Sequence, residues 1–252
     1  MHFLMHRVKV RNFRNDDFYA GRRVAAKKPL LSGQNKIARL RFAIDHRSWS
    51  VDDWKSVIFS DESAFSTRWD QQQRVWRLEG TPFTQQNSKH VAGSGRTAVN
   101  VWGAISFPGL GPLVRIEGKF NSAAYCDILE YVLIPYVLDG PWPDGYCHYQ
   151  HDLSPVYTAK RVRTLLDALG VNCLEWPPKA ADINIIENVW GLIKSNLSKR
   201  SLNTLNADEL WEAIQEEWLR LQQDNAFVEA LYRSLPSRME CVIQSGGGMT
   251  RY

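Results

Sequence analysis

Three acidic residues stand where carboxylates commonly do chemistry in proteins: Asp61, Asp152 and Glu187. Asp61 closes the apolar run SVIFSD, Asp152 closes GYCHYQHD, and Glu187 lies in the first turn of an apolar-periodic segment. Both runs have the composition of buried strands, and the functional groups of α/β proteins gather at strand ends. We therefore expect the three carboxylates to converge.

Converging carboxylates need a counter-charge. At about 5 Å and an effective dielectric near 20, each ionised pair repels by roughly 3 kcal/mol, so without cations the cluster takes up protons. Oxygen ligands without Cys or His partners suit Mg²⁺ or Mn²⁺ rather than zinc. Two such ions roughly 3.5 to 4 Å apart support in-line attack at a phosphodiester. The sequence predicts a two-ion site, with Asp61, Asp152 and Glu187 as catalytic residues and metal ligands, that cuts or joins nucleic acid strands.

Neighbouring residues have simpler interpretations. A lone Glu in a first helical turn commonly has a structural role, because the helix dipole stabilises a negative charge there. The catalytic interpretation of Glu187 therefore depends on Asp61 and Asp152. Glu62 is the alternative to Asp61, but alternation along a strand turns it to the opposite face. His148 and His151 also face opposite sides of one strand, which favours structural roles over a metal pair.

The elements that must position these residues follow an α/β order. Strands are predicted at SVIFSDE, 74–78, 99–107 and LVRIEG, the last after the turn FPGLGP. A long helix follows the caps Asn121 and Ser122, with a kink predicted at Pro135. Strand, helix, strand and helix then alternate through GYCHYQHD, SPVYTAKRVRTLLDALG, VNCLEW and INIIENVWGLIKSNLSKR. In the first of these two helices Ser154 is the predicted cap, Pro155 the first helical residue and Gly170 the stop.

The helix that carries Glu187 has two distinct faces. Its core stripe recurs at steps of three and four and consists of Ile183, Ile186, Trp190, Ile193 and Leu197. Its polar seam consists of Asn184, Glu187, Asn188, Gly191 and Lys194. Beyond this helix, Asn206 is predicted to cap a further helix, followed by a shorter one to Leu235 and a Gly-rich tail. The predicted division is a basic arm or linker (1–45), a catalytic domain (46–200) and a C-terminal helical extension (201–252).

The charge distribution indicates a nucleic-acid partner. The first 41 residues contain eleven Lys or Arg and two acidic residues. Within them Arg22, Arg23, Lys27 and Lys28 suit an extended arm that lies against phosphates, and a solvated tail is the alternative. The four cysteines are far apart without a C-x-x-C pair, which argues against a zinc knuckle or a disulfide framework. No run reaches the roughly 18 apolar residues of a membrane span, so we expect no membrane partner.

These motifs together resemble the Tc/mariner superfamily of transposases. Asp61 lies in DDWKSVIFSDESAF, Asp152 in QHDLSP and Glu187 in WPPKAADINIIENVWGLIK, and the similarity covers nearly the whole chain. The 34 residues between Asp152 and Glu187 are the spacing typical of the Tc-type branch. The resemblance implies an α/β RNase H-like fold, a mixed five-stranded sheet flanked by helices, with a C-terminal helical extension.

The resemblance also implies an activity. It implies DNA strand cleavage at transposon ends, and attack of the freed 3′-hydroxyl on target DNA, usually at a TA dinucleotide. The cofactor would be two Mg²⁺ or Mn²⁺ ions, the partner double-stranded DNA, the assembly a homodimer and the location the nucleus. By the same analogy, the polar stretch 80–95 would reach the partner subunit. Residues 1–45 would be the remnant of a lost helix-turn-helix region, so we expect little preference for a terminal repeat.

Several residues depart from the family pattern beside the predicted metal site. Leu153 replaces the usual Asn and Tyr157 the usual His, while Ala180, Ala181 and Ile185 replace a small cap and two prolines. Residues around metal ligands often change affinity or activity ten- to a hundred-fold. The alternative is therefore a catalytically decayed or domesticated DNA-binding remnant of a transposase. A second alternative is an RNase H-type nuclease acting on RNA in hybrids.

Overall fold

The computed structural model describes residues 30–67, 97–140, 142, 146–200, 202 and 206–252. The predicted strand at 74–78, the polar stretch 80–95 and the basic residues Arg22, Arg23, Lys27 and Lys28 lie outside the described residues. The strands are β1 (Val57–Ser66), β2 (Ala98–Ser106), β3 (Gly109–Ile116), β4 (His148–Gln150) and β5 (Asn172–Cys173). The helices are α1 (Gly33–Asp45), α2 (Val51–Trp54), α3 (Ser122–Ile128), α4 (Ile134–Asp139), α5 (Lys160–Ala168), α6 (Ile186–Leu197), α7 (Ala207–Gln222) and α8 (Asn225–Gln244).

The strands form one mixed sheet in the order β3-β2-β1-β4-β5, which confirms the predicted fold class. β1 pairs antiparallel with β2, and β2 antiparallel with β3. β4 runs parallel to both β1 and β5. The central strand β1 is apolar on both faces, since Val57, Ile58 and Phe59 are all fully buried. The turn predicted over FPGLGP is shorter in the structure, because β3 already begins at Gly109.

Helices cover both faces of this sheet. On one face, Val57 and Phe59 join a core that includes Trp190 of α6 and Trp218 of α7. These two indole rings stack 5.3 Å apart against Gly103, where an added Cβ would lie 2.7 Å from the Trp190 ring. On the other face, Ile58 joins a second core built with α3, α4 and α5. Each face of β1 therefore belongs to a different helical layer.

The long helix predicted after Asn121 is continuous but changes its winding. Asn121 caps α3 by accepting hydrogen bonds from the amides of Ala123 and Ala124. A π-helical turn, Leu129–Leu133, joins α3 to α4, and Pro135 is the second residue of α4. Because proline has no N–H to donate to the preceding turn, the regular α pattern is interrupted there.

The helix predicted from Ser154 starts later than expected. Residues 155–158 form a separate turn, in which Thr158 donates its amide to the Ser154 carbonyl, and α5 begins only at Lys160. The Ser154 hydroxyl is buried without a hydrogen-bond partner among the described residues, so it caps nothing there. The predicted stop is confirmed, since Gly170 has a φ of 67°.

The C-terminal helices confirm one prediction and correct another. Asn206 caps α7 in a capping box with Glu209. The helix predicted to end at Leu235 instead continues through Pro236 to Gln244, so α8 has 20 residues and is longer than α7. Proline removes only one backbone hydrogen bond, while Met239 and Val242 beyond it are buried in the core. Burial therefore outweighs the local cost.

The end of the predicted basic arm is helical. Residues Gly33–Asp45 form α1, which Ser32 caps, and Arg39, Phe42 and Ala43 are buried. α1 contacts α8, so this part of the 1–45 segment belongs to the folded unit. The division of the chain at residues 45 and 200 stays a prediction. Among the described residues, no helix combines the length and the apolar character needed to span a bilayer.

Candidate active site

The sheet register places Asp61 beside Asp152. The parallel pairing of β1 with β4 ends at Phe59 and Gln150. Asp61 lies two residues after Phe59, and Asp152 lies two residues after Gln150. The two carboxylates are therefore carried at adjacent positions by neighbouring segments of the chain. β1 itself does not end at Asp61 as predicted but continues to Ser66, because β2 still pairs with it and Asp61 lies opposite Gly103.

Glu187 reaches this position from the helix that covers β1. It lies in the first turn of α6, whose predicted core stripe is confirmed by the burial of Ile186, Trp190, Ile193 and Leu197. The start of α6 is joined to β1 by the Asn184 amide, which donates to the Ser60 carbonyl over 3.3 Å. Because Ser60 precedes Asp61, this bond brings the start of α6 next to the aspartate.

Asp61 interacts electrostatically with each of the other two acids. Burial raises the pKa of Asp61 to about 9, and the charge of Glu187 adds to the effect, followed by those of Glu62 and Asp152. Burial also raises the pKa of Glu187, which the charge of Lys194 opposes. The structure thus places Asp61 within electrostatic reach of Asp152 and of Glu187, and the catalytic and metal-binding roles of all three stay predictions.

The donor set fits a hard divalent cation. All three side chains offer oxygen, and a cation would remove the repulsion that raises the pKa of Asp61. Among the described residues, no three His, Cys, Asp or Glu side chains are grouped closely enough to hold one ion together. One oxygen of Asp152 accepts the Ser154 amide at 2.7 Å. The acids therefore stand in pairs around Asp61, and magnesium typically takes one or two carboxylates with water and phosphate.

Glu62 is a fourth acid beside the site, and its contact with Tyr157 was not predicted. The Tyr157 hydroxyl donates to Oε2 of Glu62, and Tyr157 is 1% exposed. Burial raises the pKa of Glu62, the Tyr157 hydrogen bond lowers it, and the charge of Asp152 raises it. The prediction that Glu62 faces away from Asp61 is not supported, because the Glu62 carboxylate also interacts with the side chains of Asp61 and Asp152. The departure at Tyr157 is the signal in the sequence that could have indicated this pair.

A chain of hydroxyl groups lies behind Glu62. The Ser60 hydroxyl is 2.7 Å from that of Tyr149, which is 2.9 Å from that of Tyr125. The Tyr125 hydroxyl is in turn 3.0 Å from Nδ1 of His151. Burial lowers the pKa of His151 to about 4, so this ring is neutral at pH 7. His148 is hydrogen-bonded to Asn172 instead, so the two histidines do not share a site.

Lys194 adds a positive charge on the polar seam of α6. It lies two turns after Glu187, and its ammonium group is 5.3 Å from the centre of the Phe65 ring. Burial lowers its pKa, and the charges of Glu187 and Asp61 raise it. The site therefore combines acidic side chains with a lysine whose charge acts on the pKa of Glu187.

Comparisons with known proteins agree with this geometry. The family described as DDE superfamily endonuclease matches residues 56–211. The Tcb1 transposase of Caenorhabditis briggsae is 33% identical over 236 residues, which is 92% of this chain and 83% of the relative. The Tc1 transposase of Caenorhabditis elegans is 29% identical over 231 residues, with coverages of 91% and 82%.

Solved structures show the same fold. A Mos1 transposase paired-end complex with left transposon end matches with a TM-score of 0.79 at 16% identity, covering 92% of this chain and 68% of that one. The catalytic domain of Mos1 mariner transposase matches with a TM-score of 0.68 at 15% identity, covering 90% of this chain and 100% of that one. The sheet, the carboxylates and these relatives agree: the chain belongs to the DDE superfamily, as a Tc/mariner transposase catalytic domain with an RNase H-like fold.

Proposed function

We propose that this chain cleaves DNA strands and transfers freed 3′-hydroxyl ends to target DNA, using divalent cations held by Asp61, Asp152 and Glu187. One observation carries the proposal: Asp61 interacts electrostatically with both other acids, which come from the carboxyl end of β4 and the first turn of α6. Mos1 structures have been solved with Mn and with Mg, which supports metal use of the same kind here.

The position of each side chain determines its proposed role. Asp61 would contribute to two ion sites, one shared with Asp152 and one with Glu187. Bound there, the ions would activate the attacking oxygen and stabilise the leaving one at the scissile phosphodiester. Asn184 orients the start of α6 against β1, and so sets the distance between Glu187 and Asp61. Lys194 offers a positive charge to a phosphate that approaches along α6.

The proposed partners follow from the relatives. Mos1 forms paired-end complexes with transposon DNA, which supports double-stranded DNA as the substrate and a homodimer as the assembly for this chain. A DNA substrate in a eukaryotic family supports a nuclear location.

The test is cleavage and strand joining of a labelled DNA duplex with Mg²⁺ or Mn²⁺. Glu187→Gln removes one charge from the site, whereas Glu212→Gln makes the same chemical change at an exposed position on α7. We expect metal-dependent products from the wild type and the Glu212 variant, and none from the Glu187 variant. Products that persist in Glu187→Gln would overturn the assignment.

One observation favours the catalytically decayed, DNA-binding remnant as a second candidate. Leu153, next to Asp152, is 48% exposed and offers no polar atom from its side chain. If the folded wild type binds DNA but gives no product with either metal, the remnant is the better description. A labelled RNA–DNA hybrid in the same assay distinguishes the nuclease acting on hybrids.

A further inference from the structure

Two buried arginines from distant parts of the chain meet at the segment that leads into α6. This segment, residues 179–184, contains Asp182, which is 6% exposed, and ends three residues before Glu187. Arg39 comes from α1 and Arg238 from α8, and both are buried. We refer to these three residues as the Arg39–Asp182–Arg238 cluster.

Arg39 uses its whole guanidinium group on this segment and on the C-terminal tail. Its Nη1 donates to Asp182 and to the Lys179 carbonyl, both at 2.7 Å. Its Nη2 donates to the other oxygen of Asp182 at 2.8 Å and to the Gly248 carbonyl at 3.0 Å. A two-pronged, charge-assisted contact of this kind fixes orientation as well as distance.

Arg238 connects the same segment to the first turns of α6. Its Nη1 donates to the Asp182 carbonyl at 3.0 Å, and its Nη2 to Oδ1 of Asn188 at 2.7 Å. Asn188 directly follows Glu187. Arg238 therefore contacts the chain on both sides of the acid without contacting the acid itself.

The C-terminal tail completes the cluster. The Thr250 amide donates to Asp182 at 2.7 Å, and the Tyr252 ring lies 4.5 Å from the Arg238 guanidinium. Gly247 has a φ of 81°, and a Cβ there would collide with the Lys36 carbonyl oxygen of α1. Only glycine fits this close approach of the tail to α1.

The start of α6 depends on such outside contacts. Its N-cap residue is Ile185, whose side chain accepts no hydrogen bond, and the local side-chain cap is Oδ1 of Asn184, which accepts the Ile186 amide at 3.3 Å. Lys179, at the beginning of the segment, has a φ of 54°, which is uncommon for a residue other than glycine. Because the local cap is one long hydrogen bond and Lys179 has an unfavourable backbone conformation, the long-range contacts of Arg39 and Arg238 contribute to holding this path of the chain.

We propose that Arg39 and Arg238 are positioning residues for Glu187, which hold the 179–184 segment and the first turn of α6 so that Glu187 faces Asp61. The inference rests on the proposed function, because it assigns Glu187 to metal binding. It goes beyond that function, because it makes α1, α8 and residues 247–252 part of the active-site support.

A second buried network supplies a matched control at the other end of α6. Glu217 of α7 accepts a hydrogen bond from Asn196 at 3.0 Å and is also bound by Arg200 and Arg220. Glu217 is 4% exposed, so its loss also removes buried polar contacts from α6. Glu217→Gln should therefore lower stability without moving Glu187.

The experiment compares Arg238→Met with Glu217→Gln at temperatures where each is fully folded. The first measurement is amide hydrogen exchange of residues 183–190 in metal-free protein. We expect exchange about tenfold or more faster in Arg238→Met and unchanged in Glu217→Gln. If Arg238→Met does not fold, Asn188→Ala removes the same contact from the α6 side and should give the same direction. Unchanged exchange in the folded variant, or equal acceleration in both variants, would overturn the proposal.

The second measurement is the affinity for Mn²⁺, which is obtained from the electron paramagnetic resonance signal of the free ion. We expect Arg238→Met to weaken it roughly ten- to a hundred-fold, as changes around metal ligands commonly do. DNA affinity without metal should stay the same, so in an active enzyme kcat would fall while KM for DNA is kept. Wild-type protein that neither binds Mn²⁺ nor cleaves DNA would contradict the proposed function, whereas the exchange measurement would still decide the positioning role.

Discussion

The hydroxyl of Tyr157 donates a hydrogen bond to the carboxylate of Glu62, the residue that directly follows Asp61. This contact holds Glu62, whose charge acts on the pKa of Asp61, at a fixed place beside the site. The residue after Asp61 in the chain is therefore part of the electrostatic surroundings of the proposed metal ligands.

Tyr157→Phe removes the donor and leaves the carboxylate of Glu62 without it. Hydrogen bonds to charged groups contribute about 1.5 to 3 kcal/mol, so we expect the free energy of unfolding at pH 7 to fall by that amount. Urea denaturation measures it. The double variant Glu62→Gln, Tyr157→Phe should recover part of this lost stability, because residue 62 then has no charge that needs a hydrogen-bond donor. An unchanged midpoint in the single variant would show that the hydrogen bond is unimportant.

Leu153→Asn combined with Tyr157→His restores the residues usual in the family at both departures. Because groups around metal ligands often change activity ten- to a hundred-fold, we expect DNA cleavage to rise by about that factor. Initial rates with Mn²⁺ measure the change. The control is the same double substitution in a Glu187→Gln background, which should remain inactive. A double variant no faster than wild type would mean that these departures do not limit the reaction.

The raised pKa of Asp61 predicts a dependence of stability on pH. A folded-state pKa of about 9 lies above the ordinary value of 3.8, so the protonated form is favoured in the folded protein. Its stabilising contribution is complete below pH 3.8 and is lost as the pH rises towards 9. The loss cannot exceed about 1.4 kcal/mol per pH unit for one proton.

Asp61→Asn isolates this contribution. In metal-free protein we expect the variant to be more stable than wild type at pH 8, with a smaller difference at pH 5. Saturating Mn²⁺ should stabilise wild type and not the variant. Urea denaturation at the two pH values gives the comparison. An equal stability difference between variant and wild type at pH 5 and at pH 8 would contradict the raised pKa of Asp61.

The basic residues Arg22, Arg23, Lys27 and Lys28 are predicted to bind phosphates. Replacing all four with Gln should weaken DNA binding, and the slope of log affinity against log salt should become less steep by about 0.9 for each phosphate that is no longer neutralised. Fluorescence anisotropy from low to physiological salt measures the slope. Terminal-repeat and unrelated duplexes should bind alike, and tight repeat-specific binding at physiological salt would contradict this.

The core of the site could be predicted because its signals are local. The three- and four-residue spacing in α6 identifies the buried stripe, and the polar seam that remains contains Glu187 and Asn184. Asp61 and Asp152 follow apolar runs that are typical of strands. Positions such as these depend on periodicity within one element.

Other features depend on contacts between distant residues. α8 passes Pro236 because Met239 and Val242 are buried beyond it, whereas local propensity ends the helix at Leu235. Nothing near Arg39 in the sequence indicates that it pairs with Asp182, which lies 143 residues away. The start of α5 moves to Lys160 because Tyr157 enters the core in a separate turn. Local patterns do not encode such tertiary effects.

The Arg39–Asp182–Arg238 cluster also has a consequence for protein synthesis. All three acids have been translated by residue 187, but Arg238 is 56 residues beyond Asp182 and Thr250 is 68 residues beyond it. A chain still on the ribosome can therefore carry every acid of the site before the contacts that orient Glu187 exist. Contacts over such separations form late in folding because loop closure must precede them. In the proposed arrangement, Glu187 would thus be held opposite Asp61 only after α8 and the tail that follows it have been made.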